Sequence, residues 1–145
     1  MGRQIRRNAE RLKQVLVDTS VWIDAFNGKT TWQVKLFKKL IEEDFQIVLC
    51  PIIIQEILQG IKAENQFQEI KDTLSGFEVL IIDVIQAAHG AAALYRSVRK
   101  HGFTVRKSND CLIAFYAIYH EVDLLHNDID FDRIARHSAL KNLKK

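Results

Sequence analysis

Four short apolar runs recur along the chain, and longer segments with apolar residues at helical spacing separate them. The runs cover residues 15–17, 47–50, 77–82 and 122–125, and each has the length and composition of a buried strand. Residues 103–105 form a fifth, shorter candidate strand. Because strands and helices alternate throughout, the pattern predicts an α/β fold, a three-layer sandwich with a mostly parallel central sheet.

The segments between these runs carry signals for where helices begin and end. Thr30 and Gln33 match a capping box. Pro51 suits the first turn of a helix, and Ser75–Gly76 is a helix-ending signal. The predicted helices cover residues 19–26, 31–44, 51–60, 64–74, 84–100 and 108–119, with a last one that begins near 128 or 130. In a parallel sheet of this kind, a ligand site lies beyond the carboxyl ends of the strands.

Charge is distributed unevenly along the chain. The formal net charge is +3 over 145 residues; residues 1–14 carry +4, which leaves −1 for the rest. We therefore predict two parts, a basic N-terminal extension at 1–14 and a globular domain at 15–145. The overall basicity of the chain is then weak support for nucleic-acid binding.

The sequence lacks the features of membrane and secreted proteins. No run approaches the roughly 18 apolar residues of a membrane helix, and the basic N-terminus lacks the apolar core of a secretory signal. We expect a cytoplasmic protein without a membrane partner. Cys50 and Cys111 lie in apolar runs and are expected to be buried, reduced thiols.

A second basic stretch lies inside the predicted domain. Between Val84 and Asn109 there are five cations and no acid. The cations are Arg96, Arg99, Lys100, Arg106 and Lys107. They could form a solvated helix face and loop, or a patch that follows the phosphates of a nucleic acid, and the sequence leaves both interpretations open.

Four carboxylates stand at positions that a parallel sheet would bring together. Asp18 closes the first strand, and Asp128 lies just past the last one. Glu56 lies in the helix after the second strand, and Asp110 lies in the first turn of its helix, on a face of small residues. We expect all four to meet in one crevice. Each also has an ordinary structural explanation, as a turn, surface or helix-capping residue.

Such a gathering of carboxylates predicts a divalent cation. Without a cation the charges would repel, and each acid would raise the pKa of its neighbours. Mg²⁺ prefers hard oxygen ligands and keeps several of its waters, so a few carboxylates suffice. A bound ion lowers the pKa of water and stabilises charge on a phosphoryl oxygen. The predicted chemistry is the hydrolytic attack of a metal-activated water on a phosphodiester.

Several segments resemble the PIN-domain family. Residues 17–23, 108–114 and 126–135 resemble the first, third and fourth motifs of that family, and Glu56 falls where its mid-chain glutamate belongs. The resemblance spans about residues 15–140 and is closest to the VapC-type toxins of bacterial toxin–antitoxin pairs. Any single motif is weak, but four in this order are specific.

The resemblance implies a fold, an activity and a site. It implies a parallel α/β sandwich, Mg²⁺ or Mn²⁺ as cofactor, endonucleolytic cleavage of RNA, a homodimer, and inhibition by a small cognate antitoxin. The implied catalytic residues are Asp18, Glu56, Asp110 and Asp128, of which Asp18, Asp110 and Asp128 would hold the metal. Ser20 and Asp130 match supporting positions. His126 departs from the family pattern, which often has Thr or Ser there.

Three other classes of protein share parts of this pattern. A catalytically silent PIN domain that binds RNA or protein is the main alternative; it would normally have lost an acid, and all four are present. A receiver-type signalling domain would carry paired acids after its first strand, whereas Asp18 stands alone. A haloacid-dehalogenase-like phosphatase would need a second Asp where Ser20 stands.

Overall fold

The computed structural model describes residues 14–145. The predicted basic extension therefore lies outside the described residues, except for Gln14, which already belongs to the first strand. The elements are β1 (Gln14–Val17), α1 (Thr19–Phe26), α2 (Trp32–Glu42), β2 (Gln46–Leu49), α3 (Pro51–Gln59), α4 (Glu64–Leu74), β3 (Glu78–Val79), α5 (Val84–Lys100), α6 (Ser108–His120), β4 (Asp123–Leu125) and α7 (Ile129–Arg136).

The four strands form one sheet in the order β3-β2-β1-β4, and every pair is parallel. Leu16 of β1 lies opposite Val48 of β2 on one side and Leu124 of β4 on the other. All three side chains are fully buried. A parallel strand covered on both faces needs continuous apolar residues, which explains the short unbroken runs in the sequence. The predicted parallel α/β fold is confirmed.

The strand order determines where the helices lie. The chain moves from β1 to β2 to β3 towards one edge of the sheet and then returns to β4 at the other edge. Because parallel crossovers are right-handed, the return places α5 and α6 on the opposite face from α1 to α4. In agreement, α1 packs on α2 and α3, whereas α6 packs on α5 and α7. The strand order reverses between β1 and β4, and a crevice opens there at their carboxyl ends.

Three local predictions were wrong. Thr31, not Thr30, caps α2, and its hydroxyl accepts a hydrogen bond from the Val34 amide at 3.2 Å. The predicted capping box does not close, because the Gln33 side chain donates to Asn127 instead. The third strand is only Glu78–Val79. It lies at the sheet edge, and the strand it pairs with among residues 14–145, β2, ends at Leu49, just before Pro51 begins α3.

The candidate strand at 103–105 is a loop. The C-terminal segment, and not residues 103–105, pairs with β4. Leu124 donates to the Lys141 carbonyl at 2.9 Å, and its own carbonyl accepts from Leu143 at 2.8 Å. Val105 is nevertheless buried, so its apolar character serves the core rather than a sheet.

One hydrophobic core runs through the molecule. Trp22 is buried within it, donates from Nε1 to the Val17 carbonyl at 3.1 Å, and meets the rings of Phe37 and Phe77 edge-on. Both cysteines are buried and free, as predicted. Within residues 14–145, none of the helices has the length and apolar character needed to cross a bilayer.

Candidate active site

Asp18 lies at the carboxyl end of β1 and caps α1. The backbone there is extended, and the carboxylate accepts hydrogen bonds from the amide and the hydroxyl of Ser20, at 3.0 and 2.6 Å. Aspartate is a preferred residue at such a helix start because its oxygen satisfies an otherwise unpaired amide. Asp18 is nevertheless buried. Its burial raises its pKa, although the bonds from Ser20 oppose that shift.

Ser20 connects the ends of β1 and β4. Its hydroxyl donates to Asp18 and accepts a bond from the amide of Asn127 at 3.0 Å. The Asn127 side chain in turn donates to Asp24 at 3.0 Å, and Lys29 pairs with Asp24 at 3.1 Å. Ser20, which the sequence predicted as a supporting residue, therefore contacts both Asp18 and the fourth motif. The roles of Asp24 and Asn127 were not predicted, although Asn127 stands inside the fourth motif.

Glu56 reaches the site from α3. Its Oε1 accepts a hydrogen bond from the hydroxyl of Thr19, the residue after Asp18, at 3.1 Å. Partial burial raises the pKa of Glu56; the bond from Thr19 opposes the shift, and the charge of Asp18 adds to it. The helix α3 also contacts α6, which carries Asp110. Glu56 thus belongs to the same edge of the sheet as Asp18.

The three acids Asp110, Asp128 and Asp130 form the tightest group. One carboxylate oxygen from each lies within 4.8 Å of the others. Asp110 is buried in the first turn of α6. Asp128 caps α7 and accepts from the amide of Asp130 at 3.0 Å, and Asp130 is fully buried. Asp130, predicted only as a supporting residue, therefore lies inside the group, whereas Asp18 borders it.

This group fits a hard divalent cation. Asp110 Oδ2 and Asp130 Oδ1 are buried and accept no hydrogen bond in the part of the chain that the structure describes. Asp130 Oδ1 has only a 3.8 Å ion pair with Arg133. Burying a carboxylate oxygen without a partner is costly. An ion that prefers carboxylate oxygens would satisfy both atoms.

Two cations reach the carboxylates from the loop before α6. Arg106 Nε lies 3.0 Å from Asp130 Oδ2, and Lys107 Nζ lies 3.3 Å from Asp128 Oδ2. Both side chains are about two-thirds exposed, at 66% and 60%. The predicted basic stretch is therefore divided between two elements. Arg96, Arg99 and Lys100 lie on the C-terminal half of α5.

Burial and mutual charge give the acids different protonation behaviour. Burial raises the pKa of Asp110 to about 7; Lys107 opposes the shift, and the charges of Asp128, Asp18 and Asp130 add to it. Partial burial would raise the pKa of Asp128 as well. The hydrogen bond from the Asp130 amide and the charges of Lys107 and Arg106 outweigh burial, so that the pKa of Asp128 is lowered. The expectation of raised pKa values is met by Asp18, Glu56 and Asp110, and was wrong for Asp128.

His126 holds the backbone of the fourth motif. It is buried, and its Nδ1 accepts a hydrogen bond from the amide of Asp128 at 3.1 Å. An accepting Nδ1 leaves the proton on Nε2, which lies 3.3 Å from Asp132 Oδ1. Burial lowers the pKa of His126, which favours this neutral form. The ring thus supplies the acceptor that a Thr or Ser hydroxyl could offer at the same position.

The fold and the site together define a general class, that of parallel α/β proteins with carboxylates gathered where the strand order reverses. The profile of one family, the PIN domain, matches residues 15–137, and the chain belongs to this family. The assignment agrees with the motifs seen in the sequence.

The chain is also similar to curated relatives over nearly its whole length. It is 38% identical over 128 residues to VapC ribonuclease Mb1587 of Mycobacterium bovis, a match that covers 88% of this chain and 96% of that protein. The identity and coverage are the same for ribonuclease VapC11 of Mycobacterium tuberculosis. The resemblance to VapC-type proteins is thereby confirmed.

Solved structures share the fold. VapBC2 from Rickettsia felis, bound to a DNA fragment from its promoter, matches with a TM-score of 0.71 at 21% identity, covering 90% of this chain and 97% of that one. VapBC-1 from nontypeable Haemophilus influenzae matches with a TM-score of 0.71 at 19% identity and the same coverage. At these identities the likeness shows the fold alone.

Proposed function

We propose that the protein is a metal-dependent endoribonuclease and the toxin of a type II toxin–antitoxin pair. The observation that carries this proposal is the acidic group, in which two buried carboxylate oxygens have no hydrogen-bond donor within residues 14–145. The two VapC relatives that are 38% identical are named ribonucleases, which supports RNA as the substrate. A catalytically silent domain would not need to retain acids in this costly arrangement.

The residues that would hold the ion are Asp110, Asp128 and Asp130, with Asp18 beside them. All supply carboxylate oxygens, the donor type that Mg²⁺ favours; Mn²⁺ is the alternative ion. When bound, such an ion lowers the pKa of water and stabilises charge on a phosphoryl oxygen.

Glu56 is the residue best placed to take a proton. The bond from Thr19 occupies one of its oxygens and fixes the carboxylate beside Asp18, and the other oxygen remains for a water. The raised pKa of Glu56 makes it a better proton acceptor than an exposed glutamate. In the proposed reaction the water oxygen bonds to phosphorus, one phosphorus–oxygen ester bond breaks, and the departing oxygen takes up a proton.

Arg106 and Lys107 are the proposed contacts for RNA phosphates at the site. They now compensate the charges of Asp130 and Asp128, but their exposed positions allow them to face a polyanion once a divalent ion neutralises those acids. Arg96, Arg99 and Lys100 would extend the contact along α5. Unpaired or looped RNA suits this site better than a closed duplex.

A small antitoxin is the proposed protein partner. The solved relatives include VapBC assemblies and a toxin–antitoxin complex from Klebsiella pneumoniae. An antitoxin tail could place an Arg or Lys among the carboxylates and so take the place of the ion. The ion pairs of Arg106 and Lys107 support this proposal, since they already set a guanidinium and an ammonium group against these acids.

We propose a homodimer because the single chain leaves an apolar patch exposed to solvent. The patch comprises Ile81, Val84, Ile85 and Tyr119, around the start of α5 and the end of α6, and all four side chains are exposed. Its parts are tied together, since His120 Nε2 donates to the Ile81 carbonyl at 3.0 Å. We expect sedimentation to give a dimer at micromolar concentration and Ile85→Asp to give a monomer, with Ile41→Asp on α2 as the control. A monomeric unmutated protein would contradict this.

The activity is tested by incubating purified protein with total RNA in Mg²⁺, in Mn²⁺ and in EDTA, and then mapping new RNA ends. We expect discrete new ends that need the metal and disappear in the variant Asp110→Asn. The exposed substitution Glu42→Gln serves as the matched control. Retention of RNA without any cleavage would favour the silent binding domain instead.

A further inference from the structure

A cavity of about 380 Å³ opens beside Asp128, on the side of α2 and the C-terminal segment. It adjoins the acidic group and shares Asp128 with it, but most of its other walls are apolar, amide and basic side chains. Its volume falls within the roughly 300–1,000 Å³ that small-molecule sites occupy. The reaction proposed above does not account for it.

The walls of the cavity offer a surface for a flat ring. Trp32, the first residue of α2, is half-buried and lines the cavity, and Ile129 lines it with an exposed side chain. An indole face is a stacking surface for any nucleobase. The Thr31 cap fixes the start of α2 and with it the position of Trp32.

Two amides present hydrogen-bonding groups beside that surface. Gln33 is buried, and its Nε2 donates to Asn127 Oδ1 at 3.2 Å. Asn127 is itself oriented by its bond to Asp24. The bond between the amides leaves the second N–H of Gln33 and its carbonyl oxygen for another partner. A fixed amide of this kind can read the edge of a base.

The charged side chains around the cavity are two lysines and two acids, Asp128 and Asp132, of which Asp132 lies 3.3 Å from His126 Nε2. Lys144 and Lys145 line it and are exposed, so they can face the backbone phosphate of a bound nucleotide. Asp128 forms the border with the acidic group. A nucleotide seated here would therefore lie next to the phosphate that is cleaved.

We propose that this cavity receives one unpaired nucleobase of the RNA substrate, adjacent to the scissile bond, and thereby sets the sequence preference of cleavage. The inference rests on the proposed ribonuclease function and adds the residues that select the substrate. Trp32 and Ile129 provide the stacking surface, Gln33 reads the base edge, and Lys144 and Lys145 contact the phosphate.

The binding test uses tryptophan fluorescence, because the chain has two tryptophans and the other, Trp22, is buried in the core. The full-length protein in EDTA is titrated with each of the four ribonucleoside 5′-monophosphates and with a short single-stranded RNA of mixed sequence. We expect saturable quenching that differs between bases and is absent in Trp32→Leu. Ile129→Ala should weaken binding of the RNA about tenfold because apolar contact area is lost, whereas the control Ile41→Ala, at an exposed position on α2, should not.

The cleavage test maps RNA ends made by the same variants in Mg²⁺. Trp32→Leu and Ile129→Ala should change the base preference next to the cut. The double variant Lys144→Gln/Lys145→Gln should raise KM without changing that preference. Thermal melts identify any variant that fails to fold, and Trp32→Phe keeps an aromatic face and should retain the preference.

The outcomes separate this inference from the proposed function. Cleavage with an unchanged base preference in all variants, together with no quenching, overturns the cavity's role and leaves the ribonuclease intact. Base-selective quenching without any RNA cleavage supports the cavity and overturns the ribonuclease. Equal quenching by all four monophosphates would show that the cavity does not select a base and would overturn the inference.

Discussion

The pKa of Asp110 shows that this residue does more than cap a helix. A capping acid gains hydrogen bonds that lower its pKa, as Asp128 does. Asp110 is instead buried, leaves one oxygen without a donor, and has its pKa raised to about 7. Burial and three like charges produce this shift. Perturbed pKa values of this kind, in a crevice at strand ends, cluster at functional sites.

The first prediction concerns the pH dependence of stability. Because the folded-state pKa of Asp110 is raised from 3.8 to about 7, the folded protein retains a proton that the unfolded chain has released. This contribution is fully present below pH 3.8 and is lost as pH rises through about 7. In EDTA, Asp110→Asn should therefore raise the free energy of unfolding at pH 8, by on the order of 1 kcal/mol.

Urea melts at pH 5 and pH 8 measure this effect. The unmutated protein should be less stable at pH 8, and Asp110→Asn should depend less on pH over the same range. Glu42→Gln, an exposed carboxylate on α2, should leave the pH dependence unchanged. If Asp110→Asn is the less stable protein at pH 8, the carboxylates do not repel one another in a shared site.

At the scale of elements, the sequence predicts the long helices and the buried strands well. It predicts short strands at the edges of the sheet poorly. The helix 64–74 and the helix 84–100 have the predicted bounds, because helical spacing and cap signals are local. The strand predicted at 77–82 is shorter than expected, and the strand predicted at 103–105 is a loop. Both outcomes depend on which neighbouring strand has backbone groups free for pairing. Pairing between strands is a property of the assembled sheet and is not visible in either segment alone.

The site shows the same division. Asp18 and Asp128 were predicted to share a crevice because parallel strands end at one edge, and that argument needs only strand direction. The bond between Asn127 and Asp24 joins residues 103 positions apart, and no spacing rule indicates it. His126 illustrates the limit as well, since only the structure shows that its ring accepts the Asp128 amide.

The second prediction tests the corrected cap of α2. Thr31→Ala removes the oxygen that accepts the Val34 amide and should lower the free energy of unfolding by about 1 kcal/mol. Thr30→Ala is the matched control, because Thr30 is exposed and does not cap the helix. This variant should change the free energy of unfolding by less than about 0.5 kcal/mol. Equal effects in thermal melts of both variants would contradict the observed cap.

At the scale of the whole molecule, the strand order places an anionic group and two exposed cations at one edge of the sheet. The domain from 15 onward is nearly neutral, so the proposed affinity for RNA would have to come from local cations rather than net charge. Arg106 is paired with Asp130, and Lys107 is paired with Asp128. An ion at the site would free both for RNA, which couples metal binding to substrate binding.

The third prediction follows from this coupling. The experiment uses the Asp110→Asn variant in Mg²⁺, because this variant is expected not to cleave RNA. Adding the double change Arg106→Gln/Lys107→Gln should weaken its binding of single-stranded RNA. Each lost phosphate contact should lower the slope of log affinity against log salt by about 0.7. Fluorescence anisotropy at several salt concentrations measures both effects. The exposed Arg136→Gln on α7 is the comparison, and an equal loss there would mean that general basicity governs binding.

The central claim is that the carboxylates of α6 and α7 bind a divalent ion that RNA cleavage requires. The most direct measurement titrates Mg²⁺ against the metal-free protein and records its melting temperature and its RNA cleavage rate in the same samples. The melting temperature and the cleavage rate should rise over one concentration range, because an ion that binds only the folded state stabilises it. Asp110→Asn should show neither rise. A melting temperature that ignores Mg²⁺, with full cleavage in excess EDTA, would contradict the account.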